Sequence, residues 1–541
     1  MVEALRLALS RHKRWLAAVP VTLIVGPLMP GLYWALQPAF DFAVWHSLWT
    51  DSQLPQALRA TLISSLVGAA TALGLALSLA TLHYPGALWQ KLQRQLPLLL
   101  AIPHAAFAVG LFFLLAPSGW LARLLATLAG WTGPPAWITV QDPYGLSLAL
   151  GLAIKESWFL LWVLLAVLGE QGISRQMVLA RSLGYSRTQA WRLILWPQLL
   201  PRLGWPMTAV LAYGLSVVDM AVILGPGTPP TLAVLTWHWL TNPDPAFQAQ
   251  GSAASIALLL LLLAVAVPTR WLWRRHQGRL RYPSGVRQST PRQHWLNLHS
   301  PLFLIGWAIV LVLLLWSVAD TWFFPALWPA GISLENWRLA NWAPFWTTLW
   351  LASATSLLCL PIVLLWLEWG PRSHNAALYL PLIVPAMPLV AAQYAALLHM
   401  QLDGTPLALV WSHLLWVLPY MMLTLIGAYR AFDPRLLIST RSLGCSALGA
   451  CLLVKWPILF RPLMATLAVG FAVSVAQYLP TLFAGGGRFV TVTTEAVALS
   501  AGGNRQVLAV QALLQIALPV AAFGLAALLP RWVSRYRRGL R

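Results

Sequence analysis

LARSLGYSRTQAWRLILWPQLLPRL, residues 179–203, and STRSLGCSALGACLLVKWPILFRPL, residues 439–463, decide how this chain is read. A shift of 260 residues lays one on the other. Arg181-Ser182-Leu183-Gly184 then falls on Arg441-Ser442-Leu443-Gly444, and Trp196-Pro197 on Trp456-Pro457. In both copies the Pro stands thirteen residues after the Gly. The same shift pairs Ala212 with Ala472, Gly225 with Gly485, Gly227 with Gly487 and Thr231 with Thr491. A fainter echo, Thr61-Leu62 against Thr348-Leu349, has a different offset.

The surroundings of both stretches are apolar. Of 541 residues, 59% are hydrophobic and 9% charged, where a soluble domain carries about 25% charged residues. Even a large soluble core cannot bury such a sequence, so the chain belongs in a membrane. A span takes about 20 apolar residues. Twelve stretches qualify, near 15–36, 57–82, 96–117, 146–169, 204–225, 251–273, 301–319, 345–367, 377–400, 406–428, 462–484 and 507–530. The apolar segment 119–131 is too short to cross and reads as interfacial. Many of the 32 Trp residues sit near span ends, where amphipathic rings form belts. The first span follows Arg6, Arg11, Lys13 and Arg14 like a signal sequence, but it is long enough to be retained. The fold class is therefore all-α integral membrane: about twelve transmembrane helices as two six-helix repeats, 1–273 and 300–541, around a pseudo-two-fold axis.

With the N-terminus in the cytoplasm and strict alternation, nearly all 35 Lys and Arg residues fall on the cytoplasmic side. The exceptions are Arg59, Arg123, Lys155, Arg338, Arg488 and Arg505. A one-span error would scramble that asymmetry, so both termini are placed in the cytoplasm. The net charge of +21 then follows from topology and points to no nucleic acid. The basic stretch 274–299 reads as a cytoplasmic linker; its Arg run suits anionic membrane lipid. The repeated stretches lie in two further cytoplasmic segments, 170–203 and 430–461. In each, an amphipathic segment precedes the Gly and another follows it. Gly allows the chain reversal, and the Pro ends or kinks the second segment before the next span. An exposed, preshaped helix of this kind suits a groove in a partner. Two copies with one spacing favour a shared docking role for Ala180, Arg181, Gly184 and Pro197 and for Arg441, Gly444 and Pro457.

These loops resemble the EAA loops of binding-protein-dependent ABC importer permeases of the type I kind. That pattern runs Glu-Ala-Ala, three residues, Gly, nine residues, Ile, one residue, Leu-Pro. Here Val178-Leu179-Ala180 precedes Gly184, Ile194 and Trp196-Pro197, and Ile438-Ser439-Thr440 precedes Gly444, Val454 and Trp456-Pro457. Both copies lack the Glu and carry Trp for Leu; the Gly and Pro spacing is intact. The resemblance covers both halves and is closest to fused permeases such as those of thiamine and ferric-iron importers. It implies two copies of a separate ATP-binding-cassette ATPase, a periplasmic solute-binding protein and a bacterial inner (plasma) membrane setting. Mg-ATP would bind the partner subunits, because this chain has no Gly-x-x-x-x-Gly-Lys-Ser/Thr loop.

The spans after each loop would flank the path, with gate-like breaks at Gly225 and Gly227 and at Gly485 and Gly487. An ionisable residue inside a span usually faces a cavity or a partner. Asp219 is the clearest case, suited to a cationic substrate or to bracing a neighbouring helix; Gln477 and Tyr478 occupy the matching region. Lys155 and Glu156 offset each other, and His104, Gln393 and His399 read as core hydrogen-bonding groups. The three cysteines and the histidines form no metal-site pattern. An ion-coupled secondary transporter would carry more intramembrane carboxylates, and an intramembrane lipid-modifying enzyme a catalytic polar cluster. The substrate is a small solute of unspecified chemistry.

Overall fold

The computed structural model describes residues 18–280, 299–370 and 378–533. Its described residues are helical, with one isolated bridge between Ala319 and Ile332. The architecture is carried by α1 (Leu28–Leu36), α2 (Leu54–His83), α3 (His104–Leu115), α4 (Leu146–Leu168), α5 (Gln171–Ser182), α6 (Trp196–Ser216), α7 (Asp219–Leu224), α8 (Leu232–Leu240) and α9 (Pro245–Leu280). It continues with α10 (His299–Val318), α11 (Ala343–Trp369), α12 (Ala386–His399), α13 (Pro406–Ala431), α14 (Arg435–Ser442), α15 (Phe460–Ala476), α16 (Leu479–Gly485), α17 (Val492–Ser500) and α18 (Arg505–Val533). We call α1–α9 the first series and α10–α18 the second.

Among the described residues, eight helical stretches are long and apolar enough to cross a bilayer, or nine if one bent pair counts as a span. They fall on eight of the expected regions, although 96–117 is split at 101–103 and only its part from His104 belongs to the span. The other four differ. The regions 301–319 and 377–400 are apolar but shorter, as Leu302–Val318 and Ala386–His399. The regions 204–225 and 462–484 are broken in mid-course, at Val217-Val218 and at Gln477-Tyr478. Two starts also shift, because α3 and α12 begin directly after Pro103 and Pro385. Proline lacks the N–H that an upstream turn would need and favours a helix start. The segment 119–131 forms the helix Trp120–Ala129, which joins α3 in one 26-residue apolar unit rather than lying apart. Helix α9 runs to Leu280, into the stretch read as linker; the rest of that linker lies outside the described residues.

Packing within each series rests on small side chains. Helices α2 and α4 lie together over a long contact, as do α11 and α13. A β-carbon on Gly68 would come within 3.1 Å of Leu152 Cβ, so glycine sets the spacing of α2 against α4. Between the series the contacts are exchanged. Helix α1 packs on α12, and α10 packs on α3; α8 and α9 also reach α12, while α17 and α18 reach α3. Glycine opens both exchanges. A β-carbon on Gly31 would stand 2.2 Å from the Ala392 carbonyl oxygen, and one on Gly110 would stand 2.3 Å from Ile309 Cγ2. The seam so formed passes beside both broken helices.

Two hydrogen bonds explain the fainter repeat. Thr61 Oγ1 accepts the Leu232 N–H at 2.8 Å, and Thr348 Oγ1 accepts the Val492 N–H at 2.9 Å. Each threonine satisfies an orphan donor at the start of α8 or α17. The offset differs from 260 because the chain between the two elements differs in length. A second pair pins the loops before α4 and α13. Gln141 N–H donates to the Leu224 carbonyl at 3.1 Å, and Gly404 N–H to the Ala484 carbonyl at 2.9 Å.

Candidate functional site

Both repeated loops end their first helix in the same way. After α5, Gly184 takes φ +85°, and after α14, Gly444 takes φ +91°. Gly184 N–H donates to the Arg181 carbonyl at 3.0 Å and Tyr185 N–H to the Ala180 carbonyl at 3.1 Å. In the second copy Gly444 donates to Arg441 at 3.0 Å and Cys445 to Thr440 at 3.3 Å. This crossed pair is the Schellman closure, which needs a left-handed residue at its centre. Glycine is required here for its backbone; around Gly444 nothing lies within 4 Å of a notional β-carbon.

Serine starts the next turn in each copy. Ser186 Oγ accepts Gln189 N–H at 3.2 Å, and Ser446 Oγ accepts Gly449 N–H at 3.0 Å. A π-turn follows, Trp191–Leu195 or Cys451–Lys455, and then the Trp-Pro pair. Pro197 therefore does not end the second segment, as the sequence suggested. It sits in the first turn of α6, where its missing N–H goes unused, and the wide turn before it gives the ring room. In the second copy the chain does bend, by 77° between Ala447–Ile458 and α15, at Leu459 between Pro457 and Pro462. The two prolines thus shape the exit of each loop from behind.

The outward faces are apolar. Val178, Leu179 and Leu183 are exposed in the first loop, and Ile438, Leu443 (85% exposed) and Leu448 in the second. Arg181 and Arg441 lie on the same exposed rims. Ala180, expected on the docking face, is buried instead; it packs beneath α5 with Ile173 and Met177. The helical period brings its neighbours outward and turns Ala180 in. An open groove lined by Ile438, Arg441, Ser442, Cys445, Ser446 and Ala447 runs along the second turn. In the first loop, burial and then the neighbouring Arg181 hold the Arg187 guanidinium below its ordinary range.

The second region of interest is the seam at the two helix breaks. Asp219 is not within a continuous helix, as expected, but opens α7 directly after the break. There the carboxylate stands at the N-terminal end of α7, where the helix dipole favours it, and Tyr213 Oη donates to it at 3.5 Å. The His104 ring lies 4.7 Å from that of Tyr213, and His104 Nε2 is 3.4 Å from Glu156 Oε1. A polar line thus runs Glu156, His104, Tyr213, Asp219. From the second series, Tyr478 meets Trp237 edge-on at 6.1 Å and stands within electrostatic reach of Asp219; Tyr420 stands likewise toward Glu156. Asp219 and Tyr478 thus share one neighbourhood at the seam, with no hydrogen bond between them. Gln477 instead donates to the Val473 carbonyl of its own helix at 3.3 Å.

Lys155 and Glu156 offset each other in charge without a direct ion pair between them. Neighbours on a helix point about 100° apart, and Lys155 Nζ turns to the carbonyls of Leu99 at 3.2 Å and Ile102 at 2.5 Å. That frees Glu156 for His104, so the polar line has two carboxylates where the sequence suggested one. Gln393 stays in core bonding, donating to the Ser412 carbonyl at 3.2 Å. His399 stacks on Trp34 at 3.8 Å. The gate-like glycines close the short helices. Gly225 follows α7, Gly485 ends α16, and Gly487 takes φ +76°. Around Gly227 there is open space. The carbonyls just before Gly225 and Gly485 are the ones pinned by Gln141 and Gly404.

No protein-family model matches the chain. Curated proteins do. It is 42% identical over 522 residues to the inner membrane ABC transporter permease protein YnjC of Escherichia coli strain K12, covering 96% of this chain and 97% of that one. It is 26% identical to the thiamine transport system permease protein ThiP of the same organism, covering 80% of this chain and 81% of that one. The ThiP of Salmonella typhimurium is 25% identical over 84% of this chain and 88% of its own. With this end-to-end identity and a helical membrane architecture, the chain belongs to the inner-membrane permeases of ABC transporters.

Proposed function

We propose that the chain forms the whole translocation unit of its importer: two six-helix halves, 1–273 and 300–541, joined by a cytoplasmic linker, with both termini in the cytoplasm. The observation that carries this reading is the repetition of one closed turn at Gly184 and Gly444, each with an apolar face turned outward. Two ATPase subunits, holding Mg-ATP, seat on these turns. A periplasmic solute-binding protein delivers a small solute from the other side. ATP-driven closure moves the two turns and swings the halves about the seam between inward-open and outward-open states; nucleotide biases that equilibrium only through its different fit to the two states.

The solute passes the seam beside Asp219, Glu156 and Tyr478. Two carboxylates amid aromatic rings favour a cation at that level. Thiamine, the cargo in the names of two relatives, has that chemistry. Binding-protein delivery leaves the identity of the solute to the partner. The test is purification from the native membrane. An ATPase subunit should accompany the chain, and bulky residues at Gly184 and Gly444 should abolish both the complex and ATP-dependent uptake. Survival of both would refute the docking role.

A further inference from the structure

Each docking turn must pull on the membrane helices, and the loops are tied to them by unlike chemistry. In the first series the tie is Tyr84, just past the end of α2. Tyr84 Oη donates to the Leu168 carbonyl at the end of α4 at 3.1 Å. Arg187 Nη2, in the docking loop, donates to the Tyr84 carbonyl at 2.7 Å. Trp191 of the same loop, fully buried, meets the Tyr84 ring edge-on at 6.1 Å. Three points are joined: docking loop, end of α2, end of α4.

The second series joins the equivalent three points with one carboxylate. Glu368 lies one residue from the end of α11. Its Oε2 accepts Lys455 Nζ at 2.5 Å, and the Tyr429 hydroxyl near the end of α13 donates to the same oxygen. Lys455 Nζ also sits 3.9 Å over the Tyr429 ring. Lys455 closes the π-turn of the docking loop and is buried. The position matching it in the first copy is Leu195, so this tie is not part of the repeat.

The surroundings of the two ties differ as well. Helix α5 is also held by buried Ile173, Met177 and Ala180, by Gln198 to Gln176 at 2.7 Å and by Arg202 to Glu170 at 2.7 Å. Helix α14 buries no residue. In the second series buried Ala450 and Leu459 also hold the loop, but its charged link to the helices runs through Glu368 alone among the described ion pairs.

We propose that Glu368 is the positioning residue through which the second docking loop drives α11 and α13, and that the corresponding link in the first series is spread over several contacts. The inference rests on the docking role proposed above. A single substitution then uncouples one side of the importer: the ATPase still binds the exposed turn, but its stroke no longer reaches the helices.

The experiment uses the full chain with its ATPase in lipid nanodiscs, without native cysteines, and with spin labels at Trp162 on α4 and Leu423 on α13, both exposed. The distance between labels is measured with and without ATP and vanadate. The unaltered pair should shift on trapping. Glu368→Gln should keep the ATPase bound and lose at least half of the shift. Arg187→Ala, its counterpart in the first loop, should keep most of it. The double variant Glu368→Lys, Lys455→Glu should recover the shift, which a general loss of stability would not do. A full shift in Glu368→Gln overturns the proposal. If Glu368→Gln fails to assemble, the double variant decides: assembly with the full shift supports the tie, and any other result overturns it. If no ATPase accompanies the unaltered chain, the docking role itself fails.

Discussion

Replacing Gly444 separates two reasons for a glycine. The turn needs φ +91°, and a β-carbon there would meet nothing within 4 Å. Within the chain, alanine is therefore strained only through its backbone. The left-handed region costs a non-glycine residue about 1–2 kcal/mol. Asparagine tolerates it better, since its short polar side chain bonds locally. If only the closed turn docks, the apparent affinity for the ATPase falls with the fraction of closed turn. A strain of 1–2 kcal/mol corresponds to a factor of about 5–30, the upper limit for Gly444→Ala. Gly444→Asn should lose no more than about threefold on the same argument. Gly444→Val, β-branched, should lose more than alanine. Affinity of the nanodisc-bound permease for its purified ATPase is the assay. If asparagine loses as much as valine, bulk against the ATPase surface is what matters and the backbone argument fails. If alanine and valine both bind like glycine, the closed turn is not what docks.

The exchanged seam predicts a cost at both of its glycines: Gly31→Ala meets a carbonyl at 2.2 Å, and Gly110→Ala meets Cγ2 of Ile309 at 2.3 Å, a β-branched side chain that cannot swing away, so each should destabilise by about 1–3 kcal/mol; thermal unfolding in detergent measures both. Asp142→Ala removes the carboxylate that accepts Leu146 N–H and Ser147 N–H, each at 2.8 Å, and should cost about 1 kcal/mol. Burial raises the Asp142 pKa, but the bonds from Ser147, Leu146 and Tyr144 outweigh it and leave it lowered. Its contribution is therefore complete above the ordinary Asp value of about 3.9 and is lost as pH falls below that value, so the gap between wild type and Asp142→Ala should close only in strong acid. Asp219→Asn and Glu156→Gln should each slow uptake at least severalfold while leaving the ATPase bound; unchanged uptake in both would remove the polar line from the path.

The docking turns were legible because their signal is local. A left-handed closure demands glycine, a Pro after a wide turn is tolerated, and both demands survive as spacing even where the family's Glu is gone. Ala180 was misplaced for the complementary reason: which face of a short helix turns outward depends on what lies beneath, and the buried partners of α5 come from elsewhere in the fold. Span ends were read well where one helix crosses alone. They were read poorly at α6–α7 and α15–α16, where composition stays apolar through Val217-Val218 and Gln477-Tyr478 although the backbone leaves the helix. At Val217-Val218 no residue type forces the break, whereas Pro480, in the first turn of α16, favours the one at Gln477-Tyr478. Both breaks are held by distant contacts, through the carbonyls of Leu224 and Ala484 and the threonines at Thr61 and Thr348.

The same distinction explains why the seam was half seen. Asp219 stands out in any hydropathy reading, because a lone carboxylate in an apolar run has no local excuse. Glu156 was hidden by its neighbour. A Lys beside a Glu in sequence suggests mutual neutralisation, yet on a helix the two point apart. Lys155 completes the carbonyl end of Ala87–Leu100, while Glu156 faces His104. A charge count along the chain sums the pair to zero; the fold separates it into a structural cation and a carboxylate at the seam. That separation makes the two sites testable apart. Lys155→Met should weaken folding by leaving carbonyls unmet, and Glu156→Gln should leave folding intact and change only what crosses.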